Sequence, residues 1–189
     1  YLFSNILWLF GINGSSIVFP IVFALCISNT GINAELVNAG KEPTALINLQ
    51  MFRYVLIGGA GNTLGLVLLM CKSKSKHIRS IGRLSVLPGI CGINEPVVFG
   101  LPLVLNPIFA IPFILNSVIA AFIAVVATNI GFLTCGVLDC PPGLPVFVTG
   151  FISYGIHGII VQAIILIVTF IIWVPFVLMS NKQAKLEQK

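Results

Sequence analysis

Glu95 is the one acidic side chain between Glu42 and Asp139, and it sits in Cys91-Gly-Ile-Asn-Glu-Pro96. A carboxylate accepts hydrogen bonds from hydroxyl groups and can take a proton from them. At the centre of a bilayer it costs at least about 2.5–3.5 kcal/mol, so an intramembrane carboxylate is by default a functional-site hypothesis. Its neighbours are turn-formers. Gly92 lets backbone approach closely, Asn94 carries both a donor and an acceptor, and Pro96 suits the first turn of a helix, where its missing N–H is not needed. The plainer reading is a structural carboxylate that pairs with Arg53 or caps a half-helix. A second polar group interrupts an apolar run at Phe10-Gly-Ile-Asn-Gly-Ser-Ser16. Asn13, Gly14, Ser15 and Ser16 there are candidates to contact a polar substrate, although small residues also serve close helix packing.

Other polar features carry less. Gly58-Gly-Ala-Gly-Asn-Thr-Leu-Gly65 lacks the downstream lysine of a phosphate-binding loop, so a break or a tight helix crossing is expected instead. His157 reads as interfacial or hydrogen-bonded, and Gln162 as interhelical glue. There is no Ser–His–Asp order, metal-ligand cluster or nucleotide motif, and no cofactor or metal is expected. A neutral polyol fits what is present, because sugars need a few amide and carboxylate groups for hydroxyls and apolar or aromatic surface for ring faces.

The elements that hold these residues follow from composition. Of the 189 residues 58% are hydrophobic and 8% charged, against about a quarter charged in soluble domains. A water-soluble globule and a disordered chain are both excluded. Residues 1–34, 54–71, 96–138 and 140–181 carry no charge. A crossing takes about 20 apolar residues, so four or five crossings or dips are expected. The tracts are too long and unbroken for barrel strands. The predicted fold is all-α: a single polytopic membrane domain over 1–189 with interrupted helices and re-entrant hairpins. Prolines at 88, 96, 102, 107 and 112 forbid one continuous helix. Unwound backbone at membrane depth survives only against protein or a wet cavity. The segment 84–107 is therefore predicted to be a re-entrant hairpin turning near Gly92–Pro96. Gly-Ile-Asn occurs at 11–13, 31–33 and 92–94, too short a match for a repeat. Paired interrupted segments are nonetheless the best sequence pointer to a transporter's midplane site.

Charge sets orientation. Lys72, Lys74, Lys76, Arg79 and Arg83 fill a basic loop over 71–83, and Lys182, Lys185 and Lys189 a tail over 180–189. Both are expected on the cytoplasmic side. Two spans, near 108–133 and 151–179, then enclose an outer loop at Leu138-Asp-Cys-Pro-Pro-Gly143. The basic loop either sets topology alone or also docks anionic lipid or an acidic cytosolic partner. A net charge of +5 is no argument for nucleic acid. The five cysteines form no C-x-x-C pair and read as small buried hydrophobes; Cys135 and Cys140 flank the outer loop, but a disulfide framework is not expected. The chain opens mid-stream at Tyr1 without a charged leader, so no signal peptide is read, and the C-terminal part of a longer membrane protein is expected.

Pro88-Gly-Ile-Cys-Gly-Ile-Asn-Glu-Pro-Val-Val-Phe-Gly-Leu-Pro-Leu-Val-Leu-Asn-Pro107 closely resembles a signature of bacterial phosphotransferase-system enzyme IIC, in the lactose/cellobiose/diacetylchitobiose group. Gly58–Met70, Lys72-Ser-Lys, Gly82-Arg-Leu-Ser and Phe10-Gly-Ile-Asn-Gly14 are similar too. The resemblance covers nearly the whole chain but only the C-terminal half or so of the family's subunit. It implies a multi-pass permease of the bacterial plasma membrane, with its C-terminus in the cytoplasm. Such a subunit binds a β-linked disaccharide between two re-entrant hairpins, and the full-length form is a homodimer. A separate cytosolic IIB subunit carrying phosphocysteine phosphorylates the sugar at its 6-hydroxyl. Glu95 would bond that sugar and help deprotonate the hydroxyl, with Asn13, Gly14, Asn94 and Pro96 around it. The family often reads Gly-Ile-His-Gly where this chain has Gly11-Ile12-Asn13-Gly14. Asparagine bonds hydroxyls but does not titrate near pH 7, so no proton relay is expected there. Two rival readings remain at this stage: an ion- or proton-coupled secondary transporter protonated at Glu95, and a non-transporting truncated remnant.

Overall fold

A computed structural model describes residues 1–101 and 103–186, with side chains through Ser180. The expected tail over 180–189 lies largely outside the described side chains. Among the described residues there are eight helices and no strand: α1 Leu2–Leu9, α2 Gly14–Asn38, α3 Leu49–Tyr54, α4 Leu64–Cys71, α5 Lys76–Ile90, α6 Glu95–Gly100, α7 Pro107–Asn129 and α8 Val146–Leu186.

Local chemistry places the breaks. α1 ends at Gly11 and α5 at Gly92, with φ of +77° and +80°. In both, the glycine N–H returns to the carbonyl three residues back, and the next N–H, on Ile12 or Ile93, returns five back, to Leu7 or Pro88. This pair of bonds closes a helix end and needs a left-handed residue, which glycine adopts without steric penalty. Two residues past each stop an asparagine begins the next helix. Asn13 Oδ1 accepts from Ser16 N–H at 3.0 Å, and Asn94 occupies the N-cap of α6. The Gly-Ile-Asn copies at 11–13 and 92–94 thus perform one operation, stop and restart. The copy at 31–33 lies inside α2, where Asn33 donates to the Ala45 and Gly136 carbonyls at 2.8 Å each.

Among the described residues three helices are long and apolar enough to cross a membrane: Gly14–Asn38, Pro107–Asn129 and Val146–Ser180. The last is not continuous. Tyr154 and Gly155 leave helical geometry, and the Gly150 carbonyl lies where a Cβ on Gly158 would stand. The chain therefore turns sharply back on itself. The expected span at 151–179 is corrected by this corner, since its unbroken part begins only after Gly155. The other expected span, 108–133, is shorter at its far end, where Gly131 at φ +76° follows α7.

Broken elements pack between the long helices. α5 and α6 fold back on each other, with Gly100 against Ile81, while Gly82 lies against Met70 and Cys71 across the basic turn from α4. On α7 the stripe Ala120, Ala124 and Ala127 is buried and lets neighbours approach closely. In lipid, where apolar burial alone does not drive helices together, such close packing and interhelical hydrogen bonds must hold them. One buried cluster gathers α3, α7 and α8 around Tyr54, Ile57 and Ile165; a second gathers α1, α4 and α6 around Trp8, Phe113 and Trp173. The glycine-rich loop 58–63 runs between them.

Candidate functional site

The two stop-and-restart loops meet. Asn13 Nδ2 donates to Glu95 Oε1 at 3.4 Å. Because Asn13 Oδ1 is already engaged by the Ser16 N–H, the amide presents its donor end to the carboxylate. Glu95 is half-buried, and among the described residues it has no cationic partner. It keeps accepting capacity for a hydroxyl.

Beneath Glu95 the bed is hydrogen-bonded. Asn94 is 3% exposed and donates through Nδ2 to the Ala60 carbonyl at 3.0 Å. That carbonyl belongs to the Gly58–Thr63 loop, whose own polar groups are bonded to the adjoining Ile57 and to α7 and α8. Asn62 Oδ1 accepts from Ile57 N–H at 2.7 Å, Ser117 Oγ from Gly61 N–H at 3.0 Å, and the Asn62 carbonyl from Trp173 Nε1 at 3.2 Å. Gly59, at φ +80°, touches the signature loop so closely that a Cβ there would stand 2.8 Å from the Gly92 carbonyl oxygen. Buried loops persist when their backbone groups are satisfied in this way. The glycine run is neither a phosphate loop nor a simple crossing; it is the foundation of the Glu95 turn.

Beside this turn lies a cavity of about 320 Å³, within the size range of ligand pockets. Its walls run from Ser15 and Gly92 to Phe19, Phe52 and Arg53, and across to the Cys140–Leu144 loop. Arg53 is not the partner of Glu95. Its Nε pairs with Asp139 Oδ1 at 3.2 Å, its Nη1 donates to the Cys140 carbonyl at 3.0 Å, and its guanidinium carbon lies 5.5 Å from the centre of the Phe19 ring. The packing of α3 beside the Cys140–Leu144 loop brings Asp139 to Arg53, and Glu95 bonds the amide of Asn13 instead.

The remaining sequence candidates separate. Gly14 is buried against the Ser4 carbonyl, where a side chain would collide, and so holds α1 to α2. Ser15 accepts from Trp8 Nε1 at 3.2 Å and also lines the cavity, while Ser16 is exposed. Pro96 lies half-buried in the first turn of α6. His157 is exposed, edge-on to Phe132 at 4.8 Å. Gln162 is buried and bonds the Tyr54 carbonyl and the Thr149 hydroxyl, joining α3 to both arms of the α8 corner. All five cysteines are free, and no three potential metal ligands converge among the described residues. Sequence reasoning missed Arg53 and the Cys140–Leu144 loop as cavity walls. The available signal was that Arg53 is the single cation between Lys41 and Lys72, a charge in an apolar setting that invites the question of its partner.

Comparison with known proteins extends this geometry. Residues 1–117 match the family described as phosphotransferase system, EIIC. The cellobiose-specific EIIC component of Lactococcus lactis subsp. lactis (strain IL1403) is 32% identical over 211 residues, covering 98% of this chain and 43% of that protein. The lactose-specific EIICB component of Streptococcus mutans serotype c is 35% identical, covering 96% of this chain and 33% of that protein. Among solved structures, the transporter ChbC, the IIC component of the N,N'-diacetylchitobiose-specific phosphotransferase system, superposes with a TM-score of 0.91 at 32% identity. The match covers 99% of this chain and 44% of that one. The chain thus spans less than half the length of the relatives it matches.

Proposed function

The chain belongs to the phosphotransferase-system EIIC family, and on that premise we propose that it forms the sugar-binding part of a bacterial membrane permease for β-linked disaccharides. The observation that carries the proposal is the meeting of Asn13 and Glu95, 82 residues apart, at the tips of two interrupted segments beside a cavity. An amide and a carboxylate at helix breaks are what a neutral, hydroxyl-rich ligand requires. The relatives' names supply the class, since cellobiose, lactose and diacetylchitobiose are all β-linked disaccharides.

In this reading Glu95 accepts the hydrogen bond of the reacting sugar hydroxyl, and Asn13 steadies the carboxylate. Asn94, Gly14 and Pro96 position the two loops. A cytosolic IIB partner then presents its phosphocysteine. The sugar oxygen attacks phosphorus, its proton passes to Glu95, and the cysteine leaves as thiolate. The relative named EIICB supports a IIB partner. The segment 84–107 enters the bilayer as a re-entrant hairpin. The basic loop 71–83 and the tail 180–189 face the cytosol, 138–143 faces outward, and the full-length subunit works as a homodimer in the lipid bilayer.

Glu95→Gln in the intact protein tests the reading. General-base removal is expected to lower IIB-dependent sugar phosphorylation by about 10²-fold or more, with membrane insertion retained. Phosphorylation of disaccharide at the wild-type rate by this variant would overturn the assignment.

A further inference from the structure

We propose that Arg53 is the specificity-determining residue for the sugar ring remote from Glu95, a role that rests on the disaccharide reading above and adds a second subsite to it. Gly92, three residues before Glu95, and Ser15, two after Asn13, are among the cavity's walls, while Glu95 and Asn13 stand beside it rather than in its lining. In this proposal the reacting ring bonds Glu95 and the other ring enters the adjoining cavity, against Phe19, Phe52 and Arg53. Among the described residues Arg53 is the one charged side chain on the cavity's walls.

Its guanidinium is held from three sides: Asp139 on Nε, the Cys140 carbonyl on Nη1 and the Phe19 face beneath it. Nη2 has no partner among the described residues, so its N–H donors are available to ring hydroxyls. Phe19 and Phe52, tilted with centroids 5.4 Å apart, form an apolar bank that suits a pyranose face. The arrangement also chooses the charge of its ligand. Asp139 already neutralises Arg53, so the site offers directional donors without net positive charge and suits a neutral ring over an anionic one. The same fork ties α3 to the outer end of the cavity, so a ring bonded there lies against residues from α2, α3 and the Cys140–Leu144 loop at once.

The test is equilibrium binding by the purified intact protein, comparing cellobiose, which has two rings, with methyl β-D-glucoside, which has one. Loss of a charge-assisted donor is expected to weaken cellobiose binding about tenfold or more in Arg53→Gln. Methyl β-D-glucoside affinity is expected to stay unchanged, which also shows that the variant is folded. Arg53→Lys, which keeps the charge but loses the fork, should recover only part of the loss. Unchanged cellobiose binding by Arg53→Gln, or an equal loss for both sugars, would overturn the subsite while leaving the Glu95 reading intact. A wild-type protein that binds neither sugar would overturn both.

Discussion

Gly59→Ala probes the contact on which the site stands. Gly59 has φ +80°, and an added Cβ would lie 2.8 Å from the Gly92 carbonyl oxygen and 3.1 Å from Asn94 Cβ and Cγ. Ordinary contact begins at 3.4 Å, so the signature loop has to retreat by about 0.6 Å at Gly92 and about 0.3 Å at Asn94. Two costs are separable. Forcing alanine into left-handed backbone costs about 1–2 kcal/mol. Moving the loop shifts Glu95 past the roughly 0.5 Å within which a binding constellation must be held. Gly131→Ala is the control, since Gly131 has φ +76° but nothing within 4 Å of its Cβ position. Both variants should therefore melt at lower temperature in detergent, Gly59→Ala the lower of the two. Gly59→Ala alone should also lose about tenfold or more in sugar phosphorylation, as misplacement near 1 Å costs up to about 10²-fold. If Gly59→Ala matches Gly131→Ala in both melting and phosphorylation, the glycine loop is not the foundation of the Glu95 turn.

Two further substitutions test the framework. In Gly14→Ala the new methyl meets the Ser4 carbonyl backbone, which cannot yield as a side chain end would. The α1–α2 corner should open, read as loss of monodisperse protein in detergent and as sugar binding weakened through Asn13. Gln50 is 2% exposed, donates to the Ser153 carbonyl at 2.5 Å and accepts from Leu138 N–H at 3.0 Å. Gln50→Leu removes the partner of two part-buried backbone groups, at about 0.5–1.5 kcal/mol for each lost bond, so the melting temperature should fall, and an unchanged one would refute the assigned network.

How far the site was legible depended on the range of the interaction involved. The stops at Gly11 and Gly92 were readable because each is set within a few residues by a left-handed glycine; Asn13 also caps the next helix through its side chain, whereas Asn94 holds the N-cap position with its amide directed to Ala60. The corner at Tyr154–Gly155 was not, since its glycines lie in an uninterrupted apolar run and the bend exists only because Gly150 and Gly158 permit backbone contact. Arg53 was offered to the wrong carboxylate for a similar reason. On sequence grounds it pairs with Glu95 alone, and the packing of α3 beside the Cys140–Leu144 loop put Asp139 within reach instead.

Composition by itself determined that this chain is helical and lives in lipid, because 8% charged residues cannot wet a surface and lipid tolerates only backbone that satisfies itself. The order of residues further determined the breaks at Gly11 and Gly92, since those instructions are local. Only the tertiary structure decided that Asn13 reaches Glu95, that Ala60 receives Asn94 and that Arg53 faces the cavity. Each of those pairings joins residues far apart along the chain, and a donor's partner is chosen by which acceptor the packed helices bring within about 3 Å of it.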